Sequence, residues 1–135
     1  PGKNALEAGE FLVAVRFPAP AANSGAFSLR FIPRNEMDIA VANAAVSLTL
    51  DGDTITAARV AIGAVAPTPL LVAGAAAALV GQTISDDVIE SACEASRAAA
   101  KPISDMRGTV EQRVHLAGVL TKRAIQGAIE RAKES

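Results

Sequence analysis

The residues best placed to do chemistry lie in one short stretch, Leu29-Arg30-Phe31-Ile32-Pro33-Arg34-Asn35-Glu36-Met37-Asp38-Ile39-Ala40. It opens as a strand, stops at Pro33, and gathers two arginines, an asparagine and two acids before the alanine-rich run Ala40 to Leu50. Polar loops carry function more often than the scaffold beside them. This one brings a cation, an anion and an apolar residue together. Such a loop can bind a ligand, but its composition does not name one.

Other candidates offer less. His115 is the only histidine and stands mid-helix between Val114 and Leu116. One imidazole without cysteines or clustered acids is no metal site, and no G-x-S-x-G elbow supplies a serine nucleophile for it to serve. Cys93 is the only cysteine. It sits on an amphipathic helix and reads as packed and inert. It cannot form an internal disulfide, a thiolate metal cluster or an iron–sulfur site. Glycine-rich phosphate loops are absent, and Gly63 and Gly74 are isolated. Asp105-Met106-Arg107-Gly108 is a compact polar corner whose Asp–Arg pair reads first as a structural clamp and second as a contact to a ligand or neighbouring domain. Lys122, Arg123, Arg131 and Lys133 crowd the last helix, where cations complement the dipole and form a solvated face.

Composition narrows the class. The chain has 135 residues, half of them apolar, which is enough for one domain with one core. Four phenylalanines and no Tyr or Trp leave the core to Ala, Val, Leu and Ile. A net charge of −1 gives no field to attract nucleic acid or an anionic membrane, and aromatic platforms for single strands are missing. The longest apolar stretch, Ala57 to Gln82, is broken by Arg59, Pro67, Pro69 and three glycines, so it is no membrane span. A single cysteine and a polar start at Pro1-Gly2-Lys3-Asn4 lead to the expectation of a reducing, cytoplasmic setting.

The elements that must position the loop follow from periodicity. Residues 1–9 are a lead-in. Glu10 to Pro18 alternates, with Phe11, Val13, Val15 and Phe17 on one face, and predicts a strand ended by Pro18 and Pro20. Ala21 to Ala26 reads as a small flexible loop, and Phe27, Leu29 and Phe31 as a second strand. Asp51-Gly52-Asp53 between β-branched runs is the strongest hairpin signal, joining Val41–Leu50 to Thr54–Val65. Weak alternation in that hairpin predicts that both sheet faces are partly covered, one by helices and the other by something outside the chain. Leu70 to Val80 predicts a helix stopped by Gly81. Ser85 N-caps the next, which runs to about Ala100 with Asp86 and Asp87 in its first turn. Thr109 with Gln112 forms a capping box for the last, Val110 to about Lys133. The expectation is one α+β domain over 1–135: an antiparallel sheet of about four strands over 10–65, then a three-helix bundle over 70–133 packed on one face. Taken alone, the residues describe such a domain without a self-contained active site.

Four stretches together carry a resemblance. They are Ala5-Leu6-Glu7-Ala8-Gly9-Glu10-Phe11-Leu12 with Val15-Arg16-Phe17-Pro18; Arg34 with Met37-Asp38-Ile39-Ala40; Asp51-Gly52 with Ala58 through Pro69; and Ile103-Ser104-Asp105-Met106-Arg107-Gly108 with Arg113 and His115 through Leu120. In this order the series resembles the C-terminal domain of the FAD-carrying medium subunit of molybdenum hydroxylases, the carbon monoxide dehydrogenase and xanthine dehydrogenase family. The resemblance implies a multi-subunit oxidoreductase. A molybdopterin large subunit oxidises the substrate, an iron–sulfur small subunit relays electrons, and the flavin subunit passes them to an acceptor. It also implies that FAD lies between an N-terminal FAD-binding domain of the same subunit and a domain like this one. By that likeness the sequence begins where the N-terminal domain would end, and the chain by itself is expected to be inactive and to hold FAD poorly.

Residue by residue, the family's flavin-edge loop maps onto Arg30 to Ala40. Asp38 matches the family's Asp, Ile39 the neighbour that lies against the ring, and Arg34 a basic position; Arg30 stands where a lysine is common. By likeness, the cofactor-binding set is Arg30, Arg34, Asp38 and Ile39, with no catalytic residue and no metal. A positive group near a flavin favours its reduced, anionic form, and tuning a cofactor is the protein's usual contribution. The sequence departs from the family where Asn35 replaces a second basic residue and Gln112 an aromatic one. The alternative is a subunit-docking module without flavin contact.

Overall fold

A computed structural model describes residues 2–35 and 37–135; Glu36, one of the two acids of the loop, lies outside the described residues. Four strands and three helices follow in order: β1 (Ser24–Phe31), β2 (Ala42–Asp51), β3 (Thr54–Gly63), β4 (Leu70–Leu71), α1 (Ala73–Leu79), α2 (Asp86–Ala99) and α3 (Val110–Glu134). The sheet is antiparallel throughout, in the order β1-β2-β3-β4. The α+β expectation holds, with the helices on one face.

The hairpin forms where the Asp-Gly signal places it. Asp51 pairs with Thr54, and Gly52 takes the positive φ of 56° that a tight turn needs. Strand β2 then alternates as a half-buried strand should. Ala42, Ala44, Val46, Leu48 and Leu50 point into the core, while Ala45 and Ser47 stay exposed on the far face. The buried row meets Ile55, Val60 and Ile62 of β3 and the apolar stripes of the helices. In α3 that stripe includes Ala117, Leu120, Ala124, Ile125, Ala128 and Ala132. Small side chains let the elements approach closely. A Cβ on Gly25 of β1 would collide with the Ala128 carbonyl and the Ala132 backbone nitrogen of α3, and one on Gly127 would sit 2.7 Å from the Phe27 ring. Both helix starts are capped as the sequence predicts: Ser85 Oγ accepts from Val88 N–H at 3.3 Å and Thr109 Oγ1 from Gln112 N–H at 3.2 Å.

Four expectations need correction. The stretch 10–18 is not part of the sheet; it is exposed and belongs to no strand, and does not pair even with β1, the edge strand that follows it. The fourth strand is instead Leu70–Leu71, at the start of the expected helix 70–80, which begins at Ala73 once Val72 N–H has bonded to Val60 O at 2.8 Å. The expected flexible loop 21–26 ends early, because β1 starts at Ser24 and needs Gly25 against α3. The cations at the end of α3 are not merely a solvated face. Arg131 donates to Ala26 O at 2.6 Å and lies 4.6 Å over the Phe27 ring, and Lys133 reaches Asp53 at 2.8 Å. That ammonium holds the Asp53 carboxyl below its ordinary pKa.

Candidate functional site

The loop from Ile32 to Ala40 joins β1 to β2 and is closed at its base by Val41 N–H to Phe31 O at 2.9 Å. Proline at 33 ends the ladder because it has no N–H to give. The loop is then organised by one side chain. Asp38 accepts from the backbone N–H of Arg34 at 3.0 Å and of Ile39 at 2.9 Å, an aspartate's usual way of holding a tight turn. The Arg34 guanidinium turns back on the same carboxylate, Nε to Oδ2 3.6 Å, and bonds to Met37 O at 3.4 Å. Burial alone would raise the Asp38 pKa; the two backbone N–H groups and the Arg34 charge outweigh it and hold the carboxyl below its ordinary value.

The two partners are placed differently. The Asp38 side chain is only 7% exposed, whereas that of Arg34 is 73% exposed. Ile39, next in the chain, is 63% exposed despite being apolar. Among its described residues the loop therefore hides the anion Asp38 and presents the cation Arg34 and the apolar Ile39 outward. Three of the four expected cofactor-binding residues, Arg34, Asp38 and Ile39, come together here. Arg30 does not join them; it stands on β1 opposite Asn43 and lines a separate shallow hollow with Ser28 and Ala45.

Ile39 forms one wall of a hollow of about 380 Å³. The turn before α3 also lines it, with Lys101, Pro102, Ile103, Asp105 and Arg107, as do Ala64, Pro67 and Arg113. Ile103 is exposed like Ile39. The hollow is thus apolar with cations at its margin. Arg113, in the first turn of α3, is 5% exposed. It donates to Val41 O at 2.9 Å, Ala64 O at 3.2 Å and Asp105 Oδ1 at 2.7 Å, while its Nε finds no partner among the described residues. Asp105 also accepts from Arg107 N–H at 2.8 Å. That bond, with the Arg113 guanidinium, keeps its carboxyl below the ordinary range. The clamp expected at Asp105 is therefore real, but its arginine is 113 and not 107. Sequence distance favours Arg107; the capped helix start is the signal that brings Arg113 round.

The remaining candidates stay outside this site. His115 is exposed on α3. Cys93 is fully buried, and burial, reinforced by nearby Glu90, pushes its thiol up to about 11, so it is inert as expected. Among the described residues no group of His, Cys, Asp and Glu could hold a metal, and no helix is long and apolar enough to cross a membrane.

A family model for the CO dehydrogenase flavoprotein C-terminal domain matches residues 27–128. The chain belongs to that family. Among curated relatives, the carbon monoxide dehydrogenase medium chain of Afipia carboxidovorans is 37% identical over 129 residues, covering 96% of this chain and 44% of that one. The xanthine dehydrogenase FAD-binding subunit of Escherichia coli O157:H7 is 32% identical over 133 residues, covering 98% and 46%. The chain spans less than half the length of either relative. Among solved structures, reconstituted CO dehydrogenase from Oligotropha carboxidovorans superposes with a TM-score of 0.87 at 35% identity, over 94% of this chain and 44% of that one. Quinoline 2-oxidoreductase from Pseudomonas putida 86 gives 0.85 at 34% identity, over 95% and 44%.

Proposed function

We propose that this domain is part of the flavin subunit of a molybdenum hydroxylase. There it covers FAD with the Arg34–Ile39 loop, while electrons pass from iron–sulfur clusters through the flavin to an acceptor. The observation that carries the reading is the loop itself: Ile39, exposed, lines an apolar hollow, and the exposed Arg34 guanidinium leans on an Asp38 carboxylate that is largely hidden. The family and the printed names of the relatives, a CO dehydrogenase medium chain and a xanthine dehydrogenase FAD-binding subunit, support it.

The residues fit a flat ring with apolar faces and polar edges. Ile39, Ala64, Pro67 and Ile103 offer apolar contact, and Lys101 and Arg107 in the same lining offer charge for electronegative atoms. They do not fit a pyrophosphate. The starts of α2 and α3 carry Asp86, Asp87 and Glu111, which oppose an anion where a helix would otherwise attract one. The pyrophosphate therefore belongs to an N-terminal FAD-binding domain of the same subunit, with an iron–sulfur small subunit and a molybdopterin large subunit as the wider partners.

Bound FAD would supply reversible electron storage between two-electron and one-electron chemistry. The chain's own part is positional. Asp38 fixes the backbone of Ile39 through its N–H, so the side chain projects without a flexible hinge. Ile39 excludes water from whatever lies against it. Arg34 lends positive charge, tempered by Asp38, and this arrangement favours an anionic form of the partner over a neutral one. Arg30 would act only at longer range, from the open sheet face.

The test uses the complete flavin subunit. Asp38→Ala and Ile39→Ser should each lower retained FAD about tenfold, the equivalent of about 1.4 kcal/mol, with an unchanged circular dichroism spectrum. Unchanged FAD content and reduction rate would favour the docking alternative. The 135-residue chain alone should not bind FAD tightly and stoichiometrically; if it did, the division of labour argued here would be wrong.

A further inference from the structure

Asp105 is the only acid that lines the hollow beside Ile39 among the described residues. The turn it sits in uses nearly all of its polar groups. Its backbone N–H donates to Gly108 O at 3.0 Å, and its carbonyl accepts from Gly108 N–H at 3.2 Å. Its Oδ1 accepts twice, from Arg107 N–H at 2.8 Å and from Arg113 Nη2 at 2.7 Å. Oδ2 has no hydrogen-bond partner among the described residues. The side chain is 31% exposed. With Oδ1 held by two donors, Oδ2 is the polar atom left for a ligand in the hollow.

This oxygen can only accept. The Arg107 N–H and the Arg113 guanidinium hold the carboxyl below its ordinary pKa, so it carries no proton at neutral pH. The same guanidinium balances its charge, and the bonds across the turn fix its position in advance. An acceptor fixed in advance costs a ligand little ordering entropy. Two donors belong to the same lining, Lys101 and Arg107, and neither side chain makes a hydrogen bond or ion pair among the described residues. One acceptor and two donors among apolar side chains suit a particular edge: an imide, in which one N–H lies between two carbonyls. The pyrimidine end of an isoalloxazine is such an edge. We propose that Asp105 is a flavin-contact residue: its Oδ2 accepts from the N3–H of the bound ring, while Lys101 and Arg107 meet the two flanking carbonyl oxygens. The inference rests on the flavin-subunit reading and adds an orientation to it, with the pyrimidine end of the ring toward the turn before α3. It also gives the Asp105 carboxylate two tasks, one for each oxygen: Oδ1 closes the clamp and Oδ2 reads the ring.

The experiment uses the complete flavin subunit, stripped of FAD and reloaded with either FAD or N3-methyl-FAD, in which a methyl group replaces the N3 proton. The wild-type subunit should bind FAD at least about tenfold more tightly than the methylated form, the loss of one hydrogen bond to a charged group. In Asp105→Asn the amide oxygen stays with the Arg107 N–H and Arg113 donors, so the NH2 takes the place of Oδ2 and meets N3–H donor to donor. The preference for FAD should then shrink to about twofold or less, and any general loosening of the turn weakens both flavins alike and cancels in the ratio. FAD carrying heavy nitrogen at N3 gives a second readout that needs no variant. Its N3–H resonance in the wild-type subunit should lie downfield of that in free FAD and exchange slowly with water. A preference that Asp105→Asn leaves unchanged, or an N3–H that exchanges as fast as in free FAD, would give Oδ2 to water or to another part of the subunit. Either would overturn the proposal and leave the flavin reading standing. A complete subunit that retains neither flavin would overturn both.

Discussion

Two Arg–Asp pairs, one in the loop between β1 and β2 and one at the start of α3, are built in opposite ways. Arg113 is buried and ties three separate places together: the start of β2 through Val41, the residue after β3 through Ala64, and the turn before α3 through Asp105. Arg34 is exposed and ties only its own loop, through Asp38 four residues on. In the first pair the arginine is the hidden member; in the second it is the aspartate. A guanidinium that satisfies carbonyls of distant elements is committed to the fold. One that leans on its own turn remains free to meet something else. Residue type alone does not separate structure from function here; what each cation is already bound to does.

The largest effect should come from breaking the committed pair. Arg113→Met keeps the stem but leaves two carbonyls and Asp105 without their donor. Removing one member of a buried charged cluster costs about 3 kcal/mol. A domain of this size should then melt roughly 10 °C lower, as a thermal scan followed by circular dichroism would show. A loss below about 1 kcal/mol would mean that the clamp is not committed to the fold at all. Arg113→Lys should fall between, at about 1–2 kcal/mol, since an ammonium replaces the charge but not the fork that spans separate acceptors.

The clamp also holds a strained residue. Ala64 has φ 60°, and its carbonyl is one of the acceptors of Arg113. A left-handed conformation costs an alanine about 1–2 kcal/mol that glycine avoids. Part of the relief is lost to the freer unfolded chain. Ala64→Gly should therefore stabilise the domain by about 0.5–1 kcal/mol; a denaturant midpoint that drops instead would show that alanine's methyl group is needed where it lines the hollow.

Much of this contrast was legible in advance, and the illegible part has identifiable reasons. The Arg34–Asp38 loop could be singled out because the hydrogen bonds that shape it among the described residues are local, spanning four residues at most. The Asp51-Gly52 hairpin and the Ser85 and Thr109 caps were legible for the same reason. The Arg113 clamp depends on Val41 and Ala64, distant in sequence, and only the folded topology brings them near. The strand at 10–18 failed in a further way: alternation reports that one face of a segment is apolar, not which body will cover it. Gly25, in a stretch that resembles a flexible loop, is needed for the close approach of β1 to α3. That requirement is set by Ala128 and Ala132 at the other end of the chain.

Acid offers a finer division of the two pairs. Asp105 and Asp38 both titrate below the ordinary carboxylate range in the folded protein, Asp105 through Arg107 N–H and the Arg113 guanidinium, Asp38 through two backbone N–H groups and Arg34 despite its burial. A depressed folded pKa means that the unfolded chain binds more protons in the window between the two values. Each group's contribution is therefore complete above the unfolded value of about 4 and is lost as pH falls through the folded one. Asp105→Asn should flatten the fall in stability below pH of about 4 and loosen the joint between α3 and the sheet. Asp38→Asn should flatten it too but loosen only the loop, visible as faster exchange at the Arg34 and Ile39 amides. Equal changes at both places would erase the distinction.

The smallest effect is the one that isolates function. Arg34→Met should change the domain's stability by less than about 0.5 kcal/mol, because an exposed ion pair gains little against solvent and side-chain entropy. Asp38 would still accept from the Arg34 and Ile39 backbone N–H groups, which no side-chain change removes, so the loop should keep its shape. What should change is the charge that the loop presents outward. In the complete flavin subunit the reduction potential of the bound flavin should then fall, since a nearby cation favours the more negative, reduced form. A melting curve that matches wild type beside a lowered potential would show that Arg34 is spare to the fold and spent on the ligand. A melting loss as large as that of Arg113→Met would show instead that the exposed guanidinium is structural, and the loop's outward-facing cation would then have no task that the fold does not already explain.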